Sequence, residues 1–159
     1  MSVFLRKIGN LIKMILLYKI FRYWVILNVI SVKIKPGILK LCGAKIGLGC
    51  YFANGIYIDN NLKQLKIGDN ILVGPNVQFL FHYRDMSSYC REFKNKDLKH
   101  VRLPIEIGDG VSIGMGAIIM PGVKIGNGAV IGAGTLVNKS VPEWSLAIGN
   151  PMKIVKQYE

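Results

Sequence analysis

Among the 159 residues, His82 and His100 are the only two histidines, the side chain whose unperturbed pKa of about 6.5 suits proton exchange near neutrality. An imidazole can act as general base to a hydroxyl, which is a poor nucleophile until its proton leaves during attack. His82 ends the run GPNVQFLFH, seven residues after Pro75, and opens the polar stretch HYRDMSSYCREFKNKDLKH that His100 closes. Metal chemistry has little to build on. Two histidines fall short of a three-histidine zinc set. The cysteines, Cys42, Cys50 and Cys90, are odd in number and show no CxxC or Cys/His ligand spacing. They read as free thiols of a reducing compartment.

Positioning these groups falls to a repeat of six. Aliphatic or aromatic residues stand in one register at Ile46, Phe52 and Ile58. After a three-residue slip they resume at Ile67, Val73 and Phe79, and a third run holds Val101, Ile107, Ile113, Ile119, Ile125, Ile131 and Val137. The fourth residue after each member of that last run is apolar or small, from Ile105 to Val141. Glycine follows the register residue at 47, 68, 74, 108, 114, 126 and 132, and Asn, Asp and Gly crowd the next positions. These residues tolerate the left-handed backbone of tight corners. Six residues make one short strand and one corner, and a short fixed period marks a solenoid whose repeats are stable only when stacked. The slip before Ile67 predicts a small insertion. The 22-residue step from Phe79 to Val101 is not a multiple of six and predicts a protruding loop.

Composition agrees with one domain plus an appendage: 51% of residues are hydrophobic, and the 18 glycines sit beside aliphatics rather than in polar tracts. Disordered and collagen-like chains are thereby excluded. The formal charge is +12, and the first acid is Asp59, with nine Lys or Arg before it. Residues 4–32 mix long apolar runs with cations. Lys13, Lys19 and Arg22 interrupt what would otherwise be the roughly 20-residue apolar run of a spanning helix. No small-x-small site marks a cleavable signal. At about 100° per residue, Arg6, Lys7, Asn10 and Lys13 share a face that Lys19 and Arg22 oppose, so two short helices fit better than one. With Tyr18, Phe21, Tyr23 and Trp24, the segment suits contact with a membrane surface. Nucleic-acid binding is disfavoured because the basic block is threaded with aliphatic runs and carries no recognition motif.

From about Ala44 to Lys156 the chain resembles the hexapeptide-repeat O-acetyltransferases that act on galactosides, maltose and bacterial surface polysaccharides. The resemblance rests on CYFANGIYID, on IGDNILVGPNV followed by His82, and on IGDGVSIGMGAIIMPGVKIGNGAVIGAGTLVNKSVPEWSLAIGNPMKIVK. It implies an all-β solenoid, a left-handed parallel β-helix, carrying an N-terminal helical extension (residues 1–43). The helix itself would cover 44–142 with one loop at 82–100, and 143–159 would cap it. It also implies a homotrimer with sites between subunits, acetyl-CoA as co-substrate and a sugar or glycan acceptor. His82 stands where the family's base stands, whereas His100 reads as a packing residue. The backbone N–H of Met115 would serve the thioester end, with its developing oxyanion. Ala133 would serve the pantetheine arm, Gly116 and Gly134 would keep the wall open, and Asn138, Lys139, Lys153 and Lys156 would lie on the cofactor's phosphate side. Asn54 matches the sugar-contacting residue and Asp59 matches it loosely. Ser112 departs from the pattern, since many relatives have Trp there, which bears on cofactor packing.

Other readings in the same fold are a streptogramin-type drug acetyltransferase and a non-catalytic scaffold or binding module. A γ-type carbonic anhydrase lacks its third histidine, and a serine acetyltransferase lacks its large helical N-terminal domain. The expectation is a cytoplasmic acetyltransferase of capsule, O-antigen or exopolysaccharide biosynthesis, peripheral on the inner membrane face through residues 4–32.

Overall fold

The computed structural model describes Ile15 and residues 34–59, 61–87, 89–91 and 98–158. The expected helix pair and membrane-facing segment lie outside these residues, save Ile15, which is helical and exposed. Among the described residues no helix is long and apolar enough to cross a membrane.

Helix α1 (Ile34–Leu41) leads into the repeats. Pro36 fits its first turn, where the missing N–H would have had no intrahelical partner. Gly43, at φ 103°, ends it. The Gly43 N–H donates to the Lys40 carbonyl and the Ala44 N–H to the Leu39 carbonyl, which together satisfy the last turn in a Schellman motif. Ile38 and Leu39 are buried against the first coil.

Short strands then visit three parallel sheets in rotation. The first sheet stacks β1 (Lys45–Ile46), β4 (Leu65–Ile67), β9 (Ile105–Ile107) and β12 (Lys124–Ile125). The second stacks β2 (Tyr51–Phe52), β5 (Leu72–Val73), β10 (Ser112–Ile113), β13 (Val130–Ile131) and β15 (Ser145–Ile148), with β16 (Lys153–Gln157) antiparallel at its end. The third stacks β3 (Tyr57–Ile58), β6 (Gln78–Phe79), β11 (Ile118–Ile119) and β14 (Leu136–Val137). The six-residue register sets the pairing: Ile46 aligns with Ile67, Ile67 with Ile107 and Ile107 with Ile125. Phe52, Val73, Ile113, Ile131 and Ala147 form a second interior column, and Ile58, Phe79, Ile119 and Val137 a third. All of these residues are buried. Each fully buried large aliphatic or aromatic side chain contributes about 1.5–3 kcal/mol, so the columns supply the main cohesion.

Backbone hydrogen bonds join neighbouring coils in both directions: forwards along the strands, as from the Ala53 N–H to the Val73 carbonyl and from Gly74 to Ile113, and backwards at corners, as from Asn70 to Leu48 and from Asn76 to Asn54. The first coil has no coil before it, so its strands stand at the edges of the sheets. Lys35 covers one of these edges. Its Nζ donates to the Phe52 and Ala53 carbonyls at 3.1 and 3.0 Å and to Asn54 Oδ1 at 2.7 Å, and the side chain is buried. Burial pushes its pKa down, while three oxygens around the ammonium favour the charged form.

Both breaks in the register are visible. The first is a 3-10 turn (Leu62–Gln64) whose Leu62 side chain is buried. The second is not a bare loop at its base. β7 (His82–Arg84) and β8 (His100–Arg102) pair antiparallel as a two-stranded ribbon. Val101 consequently leaves the six-residue register in which the sequence places it: it faces Tyr83 in the ribbon, and the coil resumes at Ile105. A register residue needs a strand stacked above or below it, and Val101 has an antiparallel partner instead.

Candidate active site

The coil has three corners. The first lies between sheets one and two, the second between two and three, and the third between three and one. At the third corner the two register breaks stack. Ile58 aligns with Phe79, and the Asp59 N–H continues that pairing to the Phe79 carbonyl at 3.0 Å. Asp59 therefore lies beneath the point where the chain leaves the coil. Phe81, fully buried, anchors the departure, and the Leu103 N–H closes on its carbonyl at 3.0 Å. With Phe81 turned inward, His82 is turned out, its side chain 44% exposed.

His82 Nδ1 meets Asp59 Oδ2, and the Phe81 N–H lies 3.4 Å from the same oxygen. A carboxylate accepts only, so Nδ1 carries a proton, and in the neutral ring Nε2 then holds the lone pair. The Asp59 side chain, expected at the sugar, is largely buried, lines the cleft and meets the imidazole of His82. A third group joins them. The His100 ring lies 4.6 Å from that of His82, edge to face. The sequence reading sets His100 aside as a packing residue, yet it lines the same cleft of about 510 Å³, with Asp59, Asn61, Phe81, His82 and Arg102. Desolvation holds the His100 pKa below its ordinary value, helped by His82, Arg102 and Arg84 and opposed by Asp59. Asn61, His100 and Arg102 escaped sequence reasoning because only the ribbon's pairing brings 100 and 102 back opposite 84 and 82.

The second corner is built differently. Met115 and Ala133 occupy equivalent positions on successive coils, and Pro75 occupies that position one coil earlier. Both are exposed. Neither the Met115 nor the Ala133 N–H donates a hydrogen bond among the described residues. Gly116 and Gly134, at φ 69° and 67°, follow them, and a Cβ on either would meet nothing within 4 Å. The wall is open, with two backbone donors aligned along it. Asn138 and Lys139 are exposed beyond β14 at the third corner, and Lys153 and Lys156 are exposed on β16, where Lys156 Nζ lies 4.8 Å from the Tyr158 ring centre. Asn54 sits at the second corner of the first coil, bonded to Lys35, and is not brought to His82 within the chain. No group of three or more potential metal ligands occurs among the described residues.

The bacterial transferase hexapeptide model, of six repeats, matches residues 104–139. Protein CapG of Staphylococcus aureus is 33% identical over 126 residues, which cover 76% of this chain and 70% of CapG. The chain belongs to the hexapeptide-repeat acetyltransferase family. A second member, the galactoside O-acetyltransferase of Escherichia coli, is 33% identical over 78% of this chain and 60% of its own length. The chain spans about half the length of three other curated relatives, at 51%, 57% and 54%. Among solved members, a maltose O-acetyltransferase from Clostridium difficile has a TM-score of 0.66 at 26% identity, over 96% of this chain and 88% of that one. A Vibrio cholerae hexapeptide-repeat acetyltransferase complexed with acetyl coenzyme A has a TM-score of 0.64 at 27% identity, over 74% and 61%.

Proposed function

We propose that this protein is an acetyl-CoA-dependent O-acetyltransferase acting on a sugar hydroxyl, with His82 as general base and a surface polysaccharide as the destination of the product. The observation that carries this reading is the His82–Asp59 pair opening into the third-corner cleft. Nε2 takes the proton of the acceptor hydroxyl while its oxygen attacks the thioester carbonyl. The new C–O bond forms, the C–S bond breaks, and the proton passes on to the departing thiolate sulfur. The Met115 N–H meets the oxyanion that develops during attack, the role a preorganised backbone donor fills best. Ala133 serves the pantetheine arm, and Asn138, Lys139, Lys153 and Lys156 serve the phosphates. Two unbonded N–H groups beside an open wall fit an amide-bearing, extended cofactor.

In a single chain the donors and the base belong to different corners. A homotrimer of left-handed coils, in which one subunit's second corner faces the next subunit's third, joins them. Asn54 would approach the acceptor in the same assembly. The relatives named for galactoside and maltose O-acetylation favour a sugar acceptor. The cations of residues 4–32 favour an acceptor presented at the inner membrane face. The test is thiol release from acetyl-CoA with a panel of sugars, with the product confirmed by mass. Sugar-dependent release with a 42 Da gain, about that of one acetyl group, is expected; release that ignores the sugar would sink the proposal.

A further inference from the structure

We infer that the acceptor carries an anionic group, a carboxylate or a phosphate ester, and that Arg102 holds it beside His82. The inference rests on the cleft being the acceptor site, as proposed above. In the ribbon, His82 pairs with Arg102 and Arg84 with His100. Directly paired residues share a face and alternate residues return to it, so all four basic side chains lie on one side and Tyr83 and Val101 on the other. That basic face is the one that meets Asp59, since His82 touches it.

Charge in the cleft is unbalanced. Its carboxylate, Asp59, is already committed to His82 Nδ1. Arg84 donates to the Leu98 carbonyl at 3.2 Å. Arg102 lines the cleft, is exposed, and its side chain makes no hydrogen bond or ion pair among the described residues. A guanidinium fork matches a carboxylate or phosphate through two parallel N–H bonds, a fit that a neutral sugar cannot use. The same anion aids the proton transfer. When His82 becomes imidazolium it faces Arg102 across the ribbon, and a bound negative group between the two cations offsets their repulsion.

Initial rates of the full-length protein with acetyl-CoA and three matched acceptors test this: methyl glucoside (neutral), methyl glucuronide (carboxylate) and glucose 1-phosphate (phosphate). At least one charged acceptor should exceed the neutral one by about ten- to a hundredfold in kcat/KM. The better charged arm identifies the anion. Arg102→Gln should bring the charged-over-neutral ratio to about one, chiefly through KM, and Arg102→Lys should restore part of it. Equal rates on all three, or a ratio untouched in a folded Arg102→Gln protein, would overturn the inference while leaving O-acetylation standing. Transfer to none of the three by a protein that still binds acetyl-CoA would overturn both.

Discussion

The first and second corners of the coil are made from the same six-residue repeat and have opposite surfaces. At the first, the N–H of Leu48 donates to Asp69 Oδ1, that of Asp69 to Asp109 Oδ1, and that of Asp109 to Asn127 Oδ1, at 2.7–2.8 Å. Each side chain caps the corner before it, so the Leu48, Asp69 and Asp109 donors are all taken. At the second corner Pro75, Met115 and Ala133 replace those acceptors, and the Met115 and Ala133 donors stay open. One polar side chain per coil thus separates a structural edge from an edge able to take a ligand.

Five substitutions break or sharpen that contrast, from the largest effect to the smallest. Gly128 and Gly134 have nearly the same φ, 64° and 67°, but a Cβ on Gly128 would enter the Trp144 ring whereas one on Gly134 meets nothing. Gly128→Ala should cost about 2–4 kcal/mol in denaturant titration, against about 1–2 for Gly134→Ala, whose cost is backbone strain alone. Asp109→Ala uncaps Asp69 and should cost about 1–2 kcal/mol, with acetyl-CoA affinity unaltered by calorimetry. Ala133→Pro deletes only an unbonded N–H at a position where Pro75 shows the backbone accepts proline. Stability should stay within about 1 kcal/mol while KM for acetyl-CoA rises about tenfold. The smallest effect is pH-dependent. His100 titrates below 6.5 in the folded chain, so as acid is added the unfolded chain takes its proton first. Stability is complete above 6.5 and falls as pH drops towards the lowered folded value, and His100→Gln should flatten that part of the curve.

Much of the coil was legible because the interior columns repeat every six residues and a parallel sheet keeps them aligned. Ile46 to Phe79 and Ile107 to Val137 stand where the spacing puts them. The corners Met115 and Ala133 could be located the same way, although only the absence of an acceptor beneath each N–H shows why they are open. Val101 fell into register by coincidence of spacing, since periodicity does not report strand direction. The Asp59–His82 contact could not be read because it depends on two insertions of different length stacking at one corner. His100 was passed over because 18 residues separate it from His82, and only ribbon pairing closes that gap. Lys35 reads in the sequence as one more cation in a basic block, because only the folded first coil brings the Phe52 and Ala53 carbonyls to its ammonium.

The central claim is that His82, oriented by Asp59, removes the acceptor's proton. Acetyl transfer by His82→Ala, with assembly and acetyl-CoA affinity verified as unchanged, tests it most directly. The account predicts a fall in kcat of about 10²–10⁴-fold, and turnover near that of the unsubstituted protein would contradict it.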